Sequence, residues 1–258
     1  MQIPNILQQK SAKLFMVLGG FFVCNALIAE LIGVKIFSLE KVFGSEPFSF
    51  SFFGKDGLGF NLTVGVLLWP IVFVMTDVIN EYFGEKGVRF LSILTAILIS
   101  YAFVMIMMGI WVPSADFWPN SMQSRGIENM DVAFNGVFGQ GQWIIIGSII
   151  AFLVGQIVDA NVFYRIKKWT GQQRVWLRAT VSTLISQFID SYIVLLIAFY
   201  IGADWDLRLV LAIGTVNYIY KFVVAVLLIP AIYAAHAVID RYLGKELASK
   251  MRKASLKE

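Results

Sequence analysis

Thiol and imidazole are nearly missing from this chain, which has one cysteine, Cys24, and one histidine, His236, in 258 residues. A single cysteine forbids an intramolecular disulfide, a Cys-rich metal site and a CxxC redox pair. A single histidine, with no HExxH and no Gly-x-Ser-x-Gly pattern, argues against a metalloprotease or a Ser-His hydrolase. His236 reads instead as an interfacial residue at the cytoplasmic end of the last apolar run. No Gly-x-x-x-x-Gly-Lys-Ser/Thr loop is present, so ATP hydrolysis through a P-loop is not expected. Charge is scarce too: 15% of residues are charged, 58% are hydrophobic and the mean hydropathy is +0.74. Soluble domains average about 45 to 50% apolar, so the chain is expected to be an integral membrane protein. No cofactor and no metal is implied by any motif.

Six apolar runs approach the roughly 20 residues needed to cross a bilayer, at about 14–36, 61–83, 89–111, 142–164, 179–201 and 209–235. Their length excludes the short alternating strands of a barrel, so the expected fold class is all-α, a polytopic bundle of six transmembrane helices in a single domain. Fifteen of the 21 Lys and Arg residues cluster at one set of loop ends: Lys10 and Lys13, Lys86 and Arg89, the group from Arg165 to Arg178, and the group from Arg241 to Lys257. Lys35, Lys41, Lys55, Arg125 and Arg208 fall on the other side, and Lys221 lies inside a run. The positive-inside rule then places both termini in the cytoplasm, with 236–258 a basic cytoplasmic tail. The net charge of +4 follows the membrane topology rather than any nucleic-acid site. The first run, with Asn25 and Glu30 inside it, has no clean cleavage site and is expected to be retained. The connections 37–60 and 112–141 fall outside, and Asn135 to Gly141 read as turns.

The chemistry lies in the polar residues within these runs. Asn25 and Glu30 belong to the first; Asp77, Asn80 and Glu81 share one face of the second; Gln156 and Asp159 share a face of the fourth, Gln187 and Asp190 of the fifth, and Asn217 and Lys221 of the sixth. The third offers only Ser92, Thr95, Ser100 and Tyr101 and reads as a packing helix. A carboxylate at mid-bilayer costs about 2.5 to 3.5 kcal/mol on insertion scales, so such groups face a bundle interior, a wet cavity or a partner. Depth pairs Asp190 with Lys221 near the midplane. Asp77 and Asp159 lie toward the cytoplasmic third, and Glu81 is close enough to the interface to reach water.

Pro70 within the second run predicts a bend there, with Trp69 at the bend. Trp69 and Phe73 would then form a flat aromatic surface above Asp77, suited to a planar heterocycle whose N–H edge needs an acceptor. Tyr192 is a second stacking candidate.

Trp69-Pro70 followed by Thr76-Asp77-Val78-Ile79-Asn80-Glu81-Tyr82-Phe83-Gly84, with Arg89 beyond, resembles the signature of the queuosine precursor transporter family, also called the vitamin uptake transporter family. Gln156 to Phe163, Trp176-Leu177-Arg178 leading into Ser182-Thr183, and Gln187 to Ser191 are similar to that family's later blocks, in order. The resemblance covers about 60–235. It implies a six-helix inner-membrane importer of 7-deazaguanines, such as 7-cyano-7-deazaguanine and 7-aminomethyl-7-deazaguanine, salvaged for queuosine modification of tRNA. On that reading Asp77 or Asp190 takes the guanine edge in a bidentate manner, Trp69 or Tyr192 stacks, and Asp159 or Glu30 meets the other end.

Three alternatives stay open from the residues alone: a substrate-binding subunit of a multi-component vitamin importer, an intramembrane enzyme built on Asp77, Asp159 and Asp190, or an assembly subunit. The expected partners are a purine-like small molecule and membrane lipid, not nucleic acid. A homodimer is compatible with a small carrier, although no helix has a Gly-x-x-x-Gly association face.

Overall fold

The computed structural model describes residues 9–139, 142–171 and 174–256; Gln140 and Gly141 of the expected turn, and Lys257 of the basic tail, lie outside the described residues. Helix α1 (Lys10–Ile32) leads through β1 (Ile36–Ser38), the one-turn α2 (Leu39–Val42), β2 (Phe50–Phe52), β3 (Lys55–Leu58) and β4 (Asn61–Thr63) to a 3-10 turn, Val64–Leu67, and the long α3 (Trp69–Trp111). Then follow α4 (Met130–Phe138), α5 (Gln142–Thr170), α6 (Val175–Leu195) continued by a π-helical turn (Leu196–Ile201), α7 (Leu207–Leu227), α8 (Ile229–Leu243) and α9 (Lys245–Ala254). Five helical runs, those of α1, α3, α5, α6 with its π turn, and α7, are long and apolar enough to cross a membrane.

Polarity is distributed inside out relative to a soluble protein. Phe21, Phe90, Ile97, Val104 and Leu227 are more than half exposed, whereas Thr76, Asn80, Ser92, Thr95, Gln156, Ser182, Ser186 and Gln187 are buried. Hydrocarbon solvates the outer side chains, while small and polar residues let helices approach and bond across the interior. Ser92, Thr95 and Ser100 each donate to the carbonyl four residues back, so the segment expected to be a packing helix satisfies its own hydroxyls.

Proline and glycine set the boundaries differently from the expected ones. The second apolar run, 61–83, is expected to bend at Pro70. Instead Pro70 occupies the first turn of α3, where its missing N–H has no intrahelical partner to lose, and Asn61 lies in strand β4 rather than a helix. The break comes at Gly84, whose φ of 75° and ψ of −178° fall in a region only glycine adopts freely. Gly65 packs against the Ala29 backbone and Phe83 against Phe15, so 69–83 runs antiparallel to α1. Phe90 lies by Phe15 and Leu91 by Gly19, so the chain has turned back beyond Gly84. A Cβ on Gly65 would sit 2.4 Å from the Ala29 carbonyl oxygen, which makes glycine obligatory at that contact.

The last run, expected at 209–235, is divided at Leu228, with Pro230 in the first turn of α8. Residues 236–258, expected to be a basic tail, form helix as far as they are described and fold back onto the bundle, where Leu243 and Ala248 pack with Leu14, Val78 and Tyr82. His236 is correspondingly packed inside the protein rather than open to solvent or lipid. It is 6% exposed, its Nδ1 lies 3.4 Å from the Tyr82 hydroxyl, and burial, assisted by Arg252 and Arg178, pushes its pKa down to about 4. A histidine held below its unfolded value of about 6.5 stabilises the fold fully above that value, and the contribution is lost as pH falls from 6.5 toward 4. We expect the melting temperature of purified protein to drop across this window by the equivalent of about 3 kcal/mol. A His236→Gln variant should lose most of that drop; an unchanged pH profile would contradict the assignment.

At the other end of α1, β1 pairs antiparallel with β4, aligning Phe37 with Leu62. β2 and β3 form a hairpin turned by Phe53 and Gly54, both at positive φ. Glu40 organises this cap: it accepts from the Phe60 amide at 2.7 Å and the Ser38 hydroxyl at 2.8 Å. Burial opposes its ionisation, but these donors outweigh it and hold the carboxyl below the usual range. Lys55 reaches Asp206, the N-cap of α7, at 2.8 Å and ties the hairpin to the bundle.

Candidate functional site

Beneath this cap lies a cavity of about 380 Å³, bounded by α1, β1, β4, the start of α3, α5, α6 with its π turn, and α7. Its size falls in the roughly 300–1,000 Å³ range of small-molecule sites. Trp69 and Phe152 form an aromatic wall, with ring centroids 5.8 Å apart, and Phe73 stacks on Trp69 at 6.1 Å with planes 19° apart. Charge in the lining comes from Glu30, Asp190 and Lys221; Ser148, Asn61, Asn217 and Tyr220 add neutral polar groups. Lys221 Nζ lies 2.5 Å from Asp190 Oδ2, which is the expected pair between α6 and α7. Both side chains keep some exposure to the cavity, so each has bonding capacity left for a ligand.

A polar cleft continues downward from Trp69 and Phe73 between Phe152, Gly155, Gln156, Gln187 and Asp190. The Thr76 hydroxyl lies 2.9 Å from the Val72 carbonyl and 3.1 Å from Gln156 Oε1, joining α3 to α5. One turn lower are Asp77 and Asp159, 1% and 4% exposed. Ser186 donates to Asp159 Oδ1 at 3.3 Å, while Asp77 Oδ1 and Asp159 Oδ2 are buried without a hydrogen-bond partner.

The Gly84 break then creates an ion cluster. Helix α3 cannot close its last bonds across Gly84, and the Glu81 carbonyl accepts instead from Lys167 Nζ at 2.7 Å and Ser255 Oγ at 2.9 Å. The Glu81 carboxylate meets Arg178 Nη2 at 2.8 Å, Lys167 Nζ at 3.3 Å and Arg252 Nε at 3.7 Å. Arg252 also bonds both Asp240 carboxylate oxygens and the Tyr82 hydroxyl. Cations at the C-terminal end of a helix segment match its dipole. This cluster joins α3, α5, α6, α8 and α9 at the end opposite the β cap.

The candidate residues therefore separate into four groups. Trp69, Glu30, Asp190, Asn217 and Lys221 line the main cavity, and Phe73, Gln156 and Gln187 line the cleft below it. Asp77 and Asp159 sit deeper, outside both linings. The rest are engaged elsewhere: Asn80 donates to the Ala160 carbonyl at 3.3 Å, Glu81 serves the ion cluster rather than reaching water, Tyr192 bonds Thr215 at 3.0 Å, and Asn25 donates to Phe21 within its own helix. Ser148, Phe152 and Tyr220 were not anticipated. The first two continue the Gln156 and Asp159 stripe upward at helical spacing, so the signal was available; Tyr220 adjoins Lys221 with no distinguishing pattern.

Residues 63–235 match the family described as "Putative vitamin uptake transporter". The chain is 30% identical over 202 residues to the queuosine precursor transporter of Escherichia coli (strain K12), covering 75% of this chain and 79% of that one. It is 29% identical over 185 residues to the probable queuosine precursor transporter of Bacillus subtilis (strain 168), covering 70% and 74%. A similar likeness, 29% over 184 residues and covering 68% and 69%, relates it to the probable queuosine precursor transporter of Haemophilus influenzae. These relatives are transporters, not enzymes. No solved structure matches the chain.

Proposed function

Since the chain belongs to the vitamin uptake transporter family, we propose that it imports queuosine precursors, 7-deazaguanine bases such as the 7-cyano and 7-aminomethyl forms, across the inner membrane. The carrying observation is the aromatic wall of Trp69 and Phe152 facing the Asp190 and Lys221 pair within one cavity. A guanine-like base offers a π face for the indole and adjacent N–H donors for a carboxylate. Glu30 and Ser148, which bond each other and also line the cavity, suit the substituent at the 7 position.

In this reading the chain crosses the bilayer six times. The antiparallel arms of α3 on either side of Gly84 count as two spans, and both termini lie in the cytoplasm, in accord with the fifteen basic residues at that end. The β cap and the cavity then face outward, and the Glu81 cluster closes the inner end. Helices α8 and α9 lie at the cytoplasmic surface.

Melting of the purified protein in detergent tests the ligand, because a compound that binds only the folded state raises apparent stability. At a concentration near 100 times its Kd a 7-deazaguanine should contribute about 2.7 kcal/mol, and Trp69→Ala should abolish the shift. Equal stabilisation by pteridines or ordinary purines, or none by any 7-deazaguanine, would refute the assignment.

A further inference from the structure

Two buried carboxylates are left over once the cavity and the ion cluster are accounted for. Asp77 on α3 and Asp159 on α5 lie one helical turn below the cleft, near enough that each charge acts on the other. Three hydroxyls of α6, those of Ser182, Thr183 and Ser186, face Asp159. Asp77 Oδ1 and Asp159 Oδ2 have no hydrogen-bond partner and are almost wholly buried.

The surrounding cations are committed to other acids. Facing the pair and the cluster beneath it are Glu81 from α3, Lys167 from α5, Arg178 from α6, His236 and Asp240 from α8, and Arg252 from α9. His236 is neutral near pH 7, since burial holds it at about 4. The three cations, Lys167, Arg178 and Arg252, bond Glu81 or the partly exposed Asp240, and among the described residues none forms a salt bridge with Asp77 or Asp159. Arg178 acts on Asp77 as well, but it bonds Glu81 and the Gly171 carbonyl, so its charge is already shared. An isolated charge removed from water is strongly disfavoured and is met by a counter-ion or a proton.

We infer that Asp77 and Asp159 together hold one monovalent cation, a proton or a sodium ion, and that its exchange couples to the movement of substrate through the cavity above. Donors are all oxygen, as a hard cation requires: one free oxygen from each carboxylate and the hydroxyls of α6. The route to the cavity runs through Thr76, Gln156 and Gln187, so loading of the pair alters the polar floor on which the substrate rests. Coupling to transport rests on the import reading, whereas cation binding itself does not.

Purified protein is melted while sodium replaces choline at constant ionic strength, and separately while pH falls from 8.5 to 6.5, a range above the His236 window. A sodium site raises the melting temperature in the first series, a proton site in the second. Asp77→Asn, or Asp159→Asn should the first variant fold poorly, supplies one permanent neutralisation and should abolish that response. In proteoliposomes the same variant should lose gradient-driven accumulation of 7-aminomethyl-7-deazaguanine by at least about tenfold, equivalent to about 1.4 kcal/mol, while retaining exchange of labelled for unlabelled base. A melting temperature that responds to neither cation in the unmodified protein, or that responds equally in the unmodified protein and both variants, would overturn the cation site. If the unmodified protein takes up no 7-deazaguanine, the import reading fails, yet the melting series still decides the site.

Discussion

Replacing Lys221 with Ala, or Asp190 with Asn, should lower uptake by at least about 100-fold, corresponding to roughly 2.7 kcal/mol of lost stabilisation. The two groups are 2.5 Å apart and both border the cavity. Removing either partner leaves the other charged in the cavity without the counter-ion it bonds, a loss that measures about 3 to 5 kcal/mol for fully buried pairs. Here the side chains are 17% and 23% exposed, so part of that cost is recovered by solvent and folding should survive. Transport is the sensitive measurement. The double exchange Asp190→Lys with Lys221→Asp should re-form the ion pair but not restore uptake, because the carboxylate would then project from α7 and no longer meet a base stacked on Trp69. Full uptake by the exchanged protein would show that the pair only joins helices.

Glu81→Gln should have the opposite profile, with a large loss of stability and no specific change in ligand affinity. The carboxylate is 1% exposed and faces Arg178, Lys167 and Arg252. Neutralising it leaves three cations with one fewer counter-charge, at a cost of about 3 to 5 kcal/mol. That should lower the melting temperature on the order of 10 °C for a protein of this size. Arg178→Ala should match it, since Arg178 is fully buried, whereas Arg252→Ala should cost less because its side chain is 20% exposed and partly solvated. A Glu81→Gln protein that melts normally but binds no 7-deazaguanine would return Glu81 to the binding site. The contrast with Asp190 is instructive: both are acids in spans of a transporter, yet one faces the cavity and the other fastens the end of the bundle.

Helical spacing carried much of this in advance. Gln156 with Asp159, Gln187 with Asp190, and Asn217 with Lys221 are stripes visible from the residues, and they do face the bundle interior. The Asp190 to Lys221 pair follows from depth alone, since two opposite charges at the same level of adjacent antiparallel helices lower each other's cost. Asp77, Asn80 and Glu81 also share a face, but periodicity specifies a face and not its neighbour. Within one turn of α3, Asp77 meets Asp159, Asn80 meets the Ala160 carbonyl and Glu81 meets three cations. The misplacement of the bend has a local cause. Proline disrupts a helix only after its first turn, and nothing in Trp69-Pro70 indicates that the helix starts there rather than eight residues earlier.

Composition, run lengths and the distribution of Lys and Arg determined that this protein lives in a membrane as a helical bundle, because hydrocarbon tolerates no unpaired backbone and few charges. The motif residues determined its family. Tertiary structure alone decided which acids share a cavity, which share a cation cluster and which are left facing each other. Those outcomes depend on contacts between helices far apart in the chain, and on a single glycine whose backbone angles free the Glu81 carbonyl for Lys167 and Ser255.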